Sequence, residues 1–127
     1  MTVERLDPAT LPEATGNYAQ GTLIADIHRT VFVSGQVPCT RDGRAPEDFD
    51  AQCRLAWRNV FAVLAEANMS VDHLAKVTTY LSDRRYREAN SRIRQEVLGD
   101  HAPALTVIVT DIYSEEWLLE IEAVAVD

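Results

Sequence analysis

The chain is poor in the features that announce a function. Its 127 residues include only two cysteines, Cys39 and Cys53, and three histidines. The cysteines form neither a CxxC pair nor a zinc spacing, so reduced thiols are expected. His28, His73 and His101 stand far apart and form no i, i+4 pair, so no metal site is expected. There is no glycine-rich phosphate loop, no GxSxG elbow and no obvious two-carboxylate arrangement. No apolar run approaches the roughly 20 residues of a membrane span, and no membrane partner is expected. Met1 to Thr10 carries acids and a proline where a secretory leader has a basic start and an apolar stretch, which points to the cytoplasm.

Positive charge is also scarce. Twelve Lys and Arg face twenty Asp and Glu, a formal charge of −8. That balance opposes nucleic acid, whose phosphates need clustered Lys and Arg. The one basic stretch is Arg84, Arg85 and Arg87 with Arg92 and Arg94. It is interleaved with Asp83, Glu88 and Glu96 at helical spacing and reads as a solvated, salt-bridged face. What is present is ordinary for a globular protein: 46% apolar and 25% charged residues. The length fits a single domain over residues 1–127 with one real core.

Periodicity orders the chain as two strands, helix, strand, helix, two strands. Thr22 to Ile27 and Thr30 to Ser34 flank His28-Arg29 and read as a hairpin. Residues 48–68 carry an apolar stripe of Phe49, Cys53, Ala56, Trp57, Val60, Phe61, Leu64 and Ala67, a helix that Asn68 stops. Lys76 to Leu81 is β-branched and aromatic, hence a strand. Ser82 or Asp83 caps a second helix with Tyr86, Ala89, Ile93, Val97 and Leu98 on its apolar side, and Gly99 ends it. Leu105 to Ile112 is a strand. From Trp117 to Val126 the pattern alternates: Leu119, Ile121, Ala123 and Ala125 take one face, Glu120 and Glu122 the other. The fold class is α+β, with helices on one face of a mixed sheet. The apolar content of the other face predicts cover by further subunits.

Three polar positions stand out. Glu120 sits on a strand face whose neighbours include Leu118, Val124 and Val126 as well as Glu122. It is either an edge residue or the wall of a cavity, where burial would suit it to acid–base work; a solvated strand is the competing reading. Asn90 borders the apolar stripe of the second helix, as a ligand contact or as a structural hydrogen bond. Ser34-Gly35 ends a strand where the missing side chain lets the backbone come close to a ligand, although any strand end can look like this.

Several segments in order resemble the RidA/YjgF family: Gly16-Asn17-Tyr18-Ala19-Gln20, Val31 to Pro38 (VFVSGQVP), Lys76 to Leu81, Asn90, His101-Ala102-Pro103-Ala104 and Glu120 to Val126 (EIEAVAV). The resemblance spans nearly the whole chain. It implies a chorismate-mutase-like fold with two helices on one face of the sheet and a homotrimer with clefts between subunits. It implies a cofactor-free hydrolysis of reactive imines and enamines to a keto product and ammonium. Tyr18, Ser34, Gly35, Asn90 and Thr106 would line the cleft and Glu120 would orient the attacking water. The chain departs from the family at one place. Where the deaminases read Pro-Ala-Arg, it reads Pro103-Ala104-Leu105. That arginine grips the substrate carboxylate as a bidentate fork. Its absence points away from the standard small 2-iminoacids, toward an imine, enamine or enol metabolite without that carboxylate, acted on by a deaminase-like hydrolase or a tautomerase. Arg29 is one candidate replacement. A non-catalytic trimer that binds a small molecule is the alternative.

Overall fold

The computed structural model describes residues 2–127. Two strands, β1 (Thr2–Leu6) and β2 (Gly21–Ala25), pair antiparallel with each other. The remaining strands are β3 (Thr30–Gln36), β4 (Leu74–Leu81), β5 (Ala104–Val109) and β6 (Leu119–Val126). They form one mixed sheet in the order β3-β6-β4-β5. Strand β6 is antiparallel to both neighbours, and β4 and β5 are parallel. Helix α1 (Phe49–Glu66) connects β3 to β4, and α2 (Arg87–Leu98) connects β4 to β5.

Local chemistry fixes the helix ends. The Asp48 carboxylate accepts from the Ala51 amide at 3.1 Å and caps α1. Asn68, just past its end, takes the left-handed conformation (φ 57°) that asparagine tolerates. Asp83 caps a 3-10 turn, Arg84–Tyr86, that leads into α2, and Gly99 (φ 59°) stops α2 where a side chain would be strained.

The alternation along β6 divides the molecule. Leu119, Ile121, Ala123 and Ala125 are buried beneath the helices, together with Trp57, Val60 and Leu64 of α1, Ile93 of α2, and Val77 and Leu81 of β4. Each such aliphatic chain contributes about 1.5–3 kcal/mol relative to exposure. The opposite face carries Phe32, 79% exposed, and Ile108, so the uncovered apolar face expected from the pattern is present.

Two expectations are corrected. Residues 22–34 form no hairpin: β2 pairs with β1, and β3 pairs with β6. The amides of His28 and Arg29 both donate to the Asp127 carbonyl, so the turn is tied to the end of β6. Strand β1, in turn, was not foreseen. Its Glu4 and Arg5 are exposed, and the segment lacks an alternating apolar pattern.

Candidate functional site

At the β3–β6 edge, the register between the strands shifts between Val33 and Gln36. The bulge sets Gly35 directly against Glu120. A Cβ on Gly35 would overlap Glu120 Oε2 and lie 2.8 Å from its Cδ. The space left at Gly35 is taken by the carboxylate of the chain's own Glu120, where the sequence pattern points to a ligand. Glu120 is half-buried on the open sheet face. It shares a cavity of about 330 Å³ with Tyr80, Asp111, Ile112, Tyr113 and Glu122. The Tyr80 hydroxyl donates to Glu122 Oε1 at 2.7 Å, and this bond to a carboxylate raises the phenol's pKa above its ordinary value. A second hollow of about 350 Å³ lies alongside, walled by Phe32, Ser34, Lys76, Thr78 and Glu122. Lys76 Nζ donates to Thr106 Oγ1 at 2.5 Å.

The other predicted residues gather at the β5 edge. The Ala19 amide donates to the Pro103 carbonyl at 3.0 Å, and Ala19 bridges to Ala104. Tyr18 thus lies beside the start of β5. Its loop is pinned to the C-terminal half of α2 by Asn17 Nδ2, which donates to the carbonyls of Gln95 and Gly99. Leu105, opposite Val77, packs against the core, whereas Thr106, opposite Thr78, lies on the open face. The two neighbours therefore point to opposite sides of the sheet. Asn90 is buried, 2% exposed, on the inner side of α2.

One chain thus brings together Ser34, Gly35 and Glu120, with Thr106 on the same sheet face. It brings Tyr18 beside the start of β5, with the α2 residue Asn90 on the helix side. It does not join the two groups. Strand β4 lies between Glu120 on β6 and Leu105 on β5, a separation of about 10 Å measured across the strands, and the two side chains occupy opposite faces.

Two arginines behave differently from expectation. Arg29 does not replace the missing arginine: its guanidinium is paired with Asp127 and donates to the Ala67 carbonyl at 3.0 Å. Arg94 does not belong to a solvated, salt-bridged face, although Arg92 does, pairing with Asp50 at 2.8 Å. Arg94 is only 5% exposed. The sequence carried a signal for this, since Arg94 lies one helical turn beyond Asn90 on the side of the apolar stripe. Cys53 is buried in the core, and desolvation pushes its thiol up to about 12. Among the described residues no three His, Cys, Asp or Glu side chains converge as metal ligands, and no helix is long and apolar enough to cross a membrane.

Comparison with known proteins supplies the context for these positions. Residues 9–127 match the family model described as Endoribonuclease L-PSP. TdcF of Escherichia coli strain K12 is 32% identical over 119 residues, covering 91% of this chain and 90% of TdcF. Its crystal structure with bound serine superposes with a TM-score of 0.73, at 30% identity, over 98% of each chain. The 2-iminobutanoate/2-iminopropanoate deaminase of the same strain is 29% identical over 119 residues, 91% of either chain. YyfB of Yersinia pestis, from the conserved Rid family, shares the fold at a TM-score of 0.87 over 100% of both chains, at 22% identity.

Proposed function

The chain belongs to the RidA/YjgF family, the one described as Endoribonuclease L-PSP, and from that premise we propose that it hydrolyses a reactive imine or enamine in a cleft completed by a second copy of the chain. The observation that carries the reading is the fit of the Glu120 carboxylate against Gly35. The missing side chain at Gly35 makes room for an acid, half-exposed, at the rim of a cavity. Glu120 accepts a proton from a water whose oxygen attacks the imine carbon. Glu120 returns that proton to the imine nitrogen, and the resulting carbinolamine passes its hydroxyl proton to the same nitrogen as the C–N bond breaks, so that imine plus water gives carbonyl plus ammonia. A positioned base of this kind is worth roughly 10²–10⁴ in rate.

The division of Tyr18 and Leu105 from Glu120 and Ser34 within one chain favours a site made between chains, with the β5 edge of one copy meeting the β3–β6 edge of the next. In a family-type homotrimer the exposed sheet face, including Phe32, would be covered at the same time. Leu105 takes the position of the family arginine, so the substrate is not held by a carboxylate fork there. Removing such a partner from a buried carboxylate costs roughly 3–5 kcal/mol. The metal-free, nucleotide-free chemistry suits the residues named. The charge of −8 argues against RNA as the substrate despite the family's description.

Glu120→Gln is expected to abolish turnover of an imine generated in situ while the oligomer, measured by light scattering, persists. Unchanged turnover in that variant would refute the mechanism. The apolar Leu105 also admits a binding role without catalysis. In that case a ligand would raise the melting temperature by mass action and be recovered unconsumed.

A further inference from the structure

Among the described residues Arg94 is the one buried charge, and the proposed chemistry does not use it. Its surroundings contain no counter-ion. Among the described residues it forms no ion pair: Asp50 is taken by Arg92, and Glu96 by Arg54 and Arg92. Its only side-chain hydrogen bond is from Nη2 to Ser91 Oγ at 3.1 Å, and Nε is buried without any partner. The contrast with Gln52 is sharp. That residue, equally buried, donates to the carbonyls of Pro46 and Glu116 and accepts from the Leu118 amide. The other two unpartnered buried atoms, Trp57 Nε1 and Thr79 Oγ1, are neutral. Burial of an unpaired cation is costly, and burial depresses the guanidinium from its ordinary pKa. Such a cost is tolerated where a ligand supplies the missing anion.

The place of Arg94 says where that anion would come from. It lies one turn from Asn90 on the same side of α2. The Tyr18 phenol lies near enough to favour the guanidinium's charged form, partly offsetting the burial that lowers its pKa. Arg94 Nη2 lies 3.9 Å from where a Gly16 Cβ would be, and the Gln95 side chain borders the same spot, its Nε2 3.1 Å away. We infer that Arg94 is the carboxylate-binding residue of this chain, gripping the acid group of its ligand from helix α2, between Tyr18 and Asn90, where Leu105 on β5 cannot. The inference rests on the family-based reading of Tyr18 and Asn90 as cleft residues, but not on catalysis. It refines the substrate class: an imine or enamine that is anionic, with its carboxylate turned toward α2 and its apolar part against Leu105.

Binding of an unreactive keto analogue tests this without turnover. Adding 2-oxobutanoate to the full-length protein is expected to shift the Arg94 Nε–H resonance, identified by its absence in Arg94→Met. The uncharged 2-oxobutanamide, of nearly the same shape, leaves it in place. Arg94→Met weakens 2-oxobutanoate binding by roughly ten- to a hundredfold, the worth of lost charged hydrogen bonds. Its melting temperature without ligand stays level or rises, because an unpaired buried charge has gone and the apolar stem is retained. A resonance unmoved by the carboxylate, or moved equally by the amide, overturns the assignment. So does wild-type affinity in Arg94→Met. If that variant fails to fold, the resonance is identified by elimination against single substitutions of the other arginines, and the wild-type titration decides. Turnover that survives Glu120→Gln would remove the hydrolytic reading and leave this measurement to stand or fall alone.

Discussion

The two edges of the main sheet handle charge in opposite ways. At the β3–β6 edge the prominent charges are either paired or within reach of solvent. Glu122 receives the Tyr80 hydroxyl, Arg29 is paired with Asp127, and Glu120 is fitted against a glycine in contact with solvent. At the β5 edge a guanidinium is buried with a single hydroxyl for company and no acid. The first edge is complete as a reactive group and incomplete as an enclosure. The second is an enclosure with an unmet charge. A ligand carrying an electrophilic carbon and an anion would answer both, which is why the split between the edges teaches more about the substrate than either edge alone.

Gly35→Ala should break the first edge most severely. The added Cβ meets the end of a flexible side chain, so Glu120 is expected to swing aside while the fold survives. Turnover should fall by roughly a hundred- to ten-thousandfold, the range of a positioned base, with the circular dichroism spectrum unchanged. Wild-type turnover in this variant would show that the carboxylate's position is irrelevant.

Leu105→Arg sharpens the second edge by restoring the family's fork. Decay of 2-iminopropanoate, generated by an amino-acid oxidase, is expected to accelerate by less than roughly tenfold over wild type, where Arg94 already meets the carboxylate, and by roughly a hundred- to several-thousandfold in the Arg94→Met background, the worth of pairing a buried carboxylate. Rapid decay already in the wild type would mean that the small iminoacid is held well without that residue.

The smallest effect is one of pH. Arg29, through its hydrogen bond, holds the Asp127 carboxyl below its ordinary value of 3.8. A depressed carboxylate contributes stability that is fully present above 3.8 and lost as the pH falls through the folded-state value. Chemical denaturation of wild type and Asp127→Asn should therefore differ slightly at pH 6 and converge in strong acid. The exposure of the pair keeps the difference small. Arg94 has no acid to protonate, so no such convergence is expected for Arg94→Met.

The sequence was most readable where one period dominates. The α1 stripe from Phe49 to Leu64 and the alternation of β6 each bury one face, and both were legible with nearly the observed boundaries. Strand β1 was not, because its stability comes from pairing with β2, not from a pattern of its own. The supposed hairpin failed for a related reason. His28 and Arg29 look like turn residues, but their amides are satisfied by Asp127, nearly a hundred residues away. The site was half legible. Ser34, Gly35 and Glu120 follow from composition and family resemblance, and the structure sets them side by side. That Leu105 and Thr106 face opposite ways follows from the strand period alone. The burial of Arg94 was harder to read, because the interleaved acids around it suggest a solvated face.

Gly35 has an inheritance of its own. It is not among the residues with a left-handed backbone, so its own conformation does not demand glycine. The demand comes from a neighbour's carboxylate occupying the volume that any other side chain would need. Positions 35 and 120 therefore share one volume. With the acid in place, a side chain at 35 displaces it. With the acid gone, the same space takes alanine or serine.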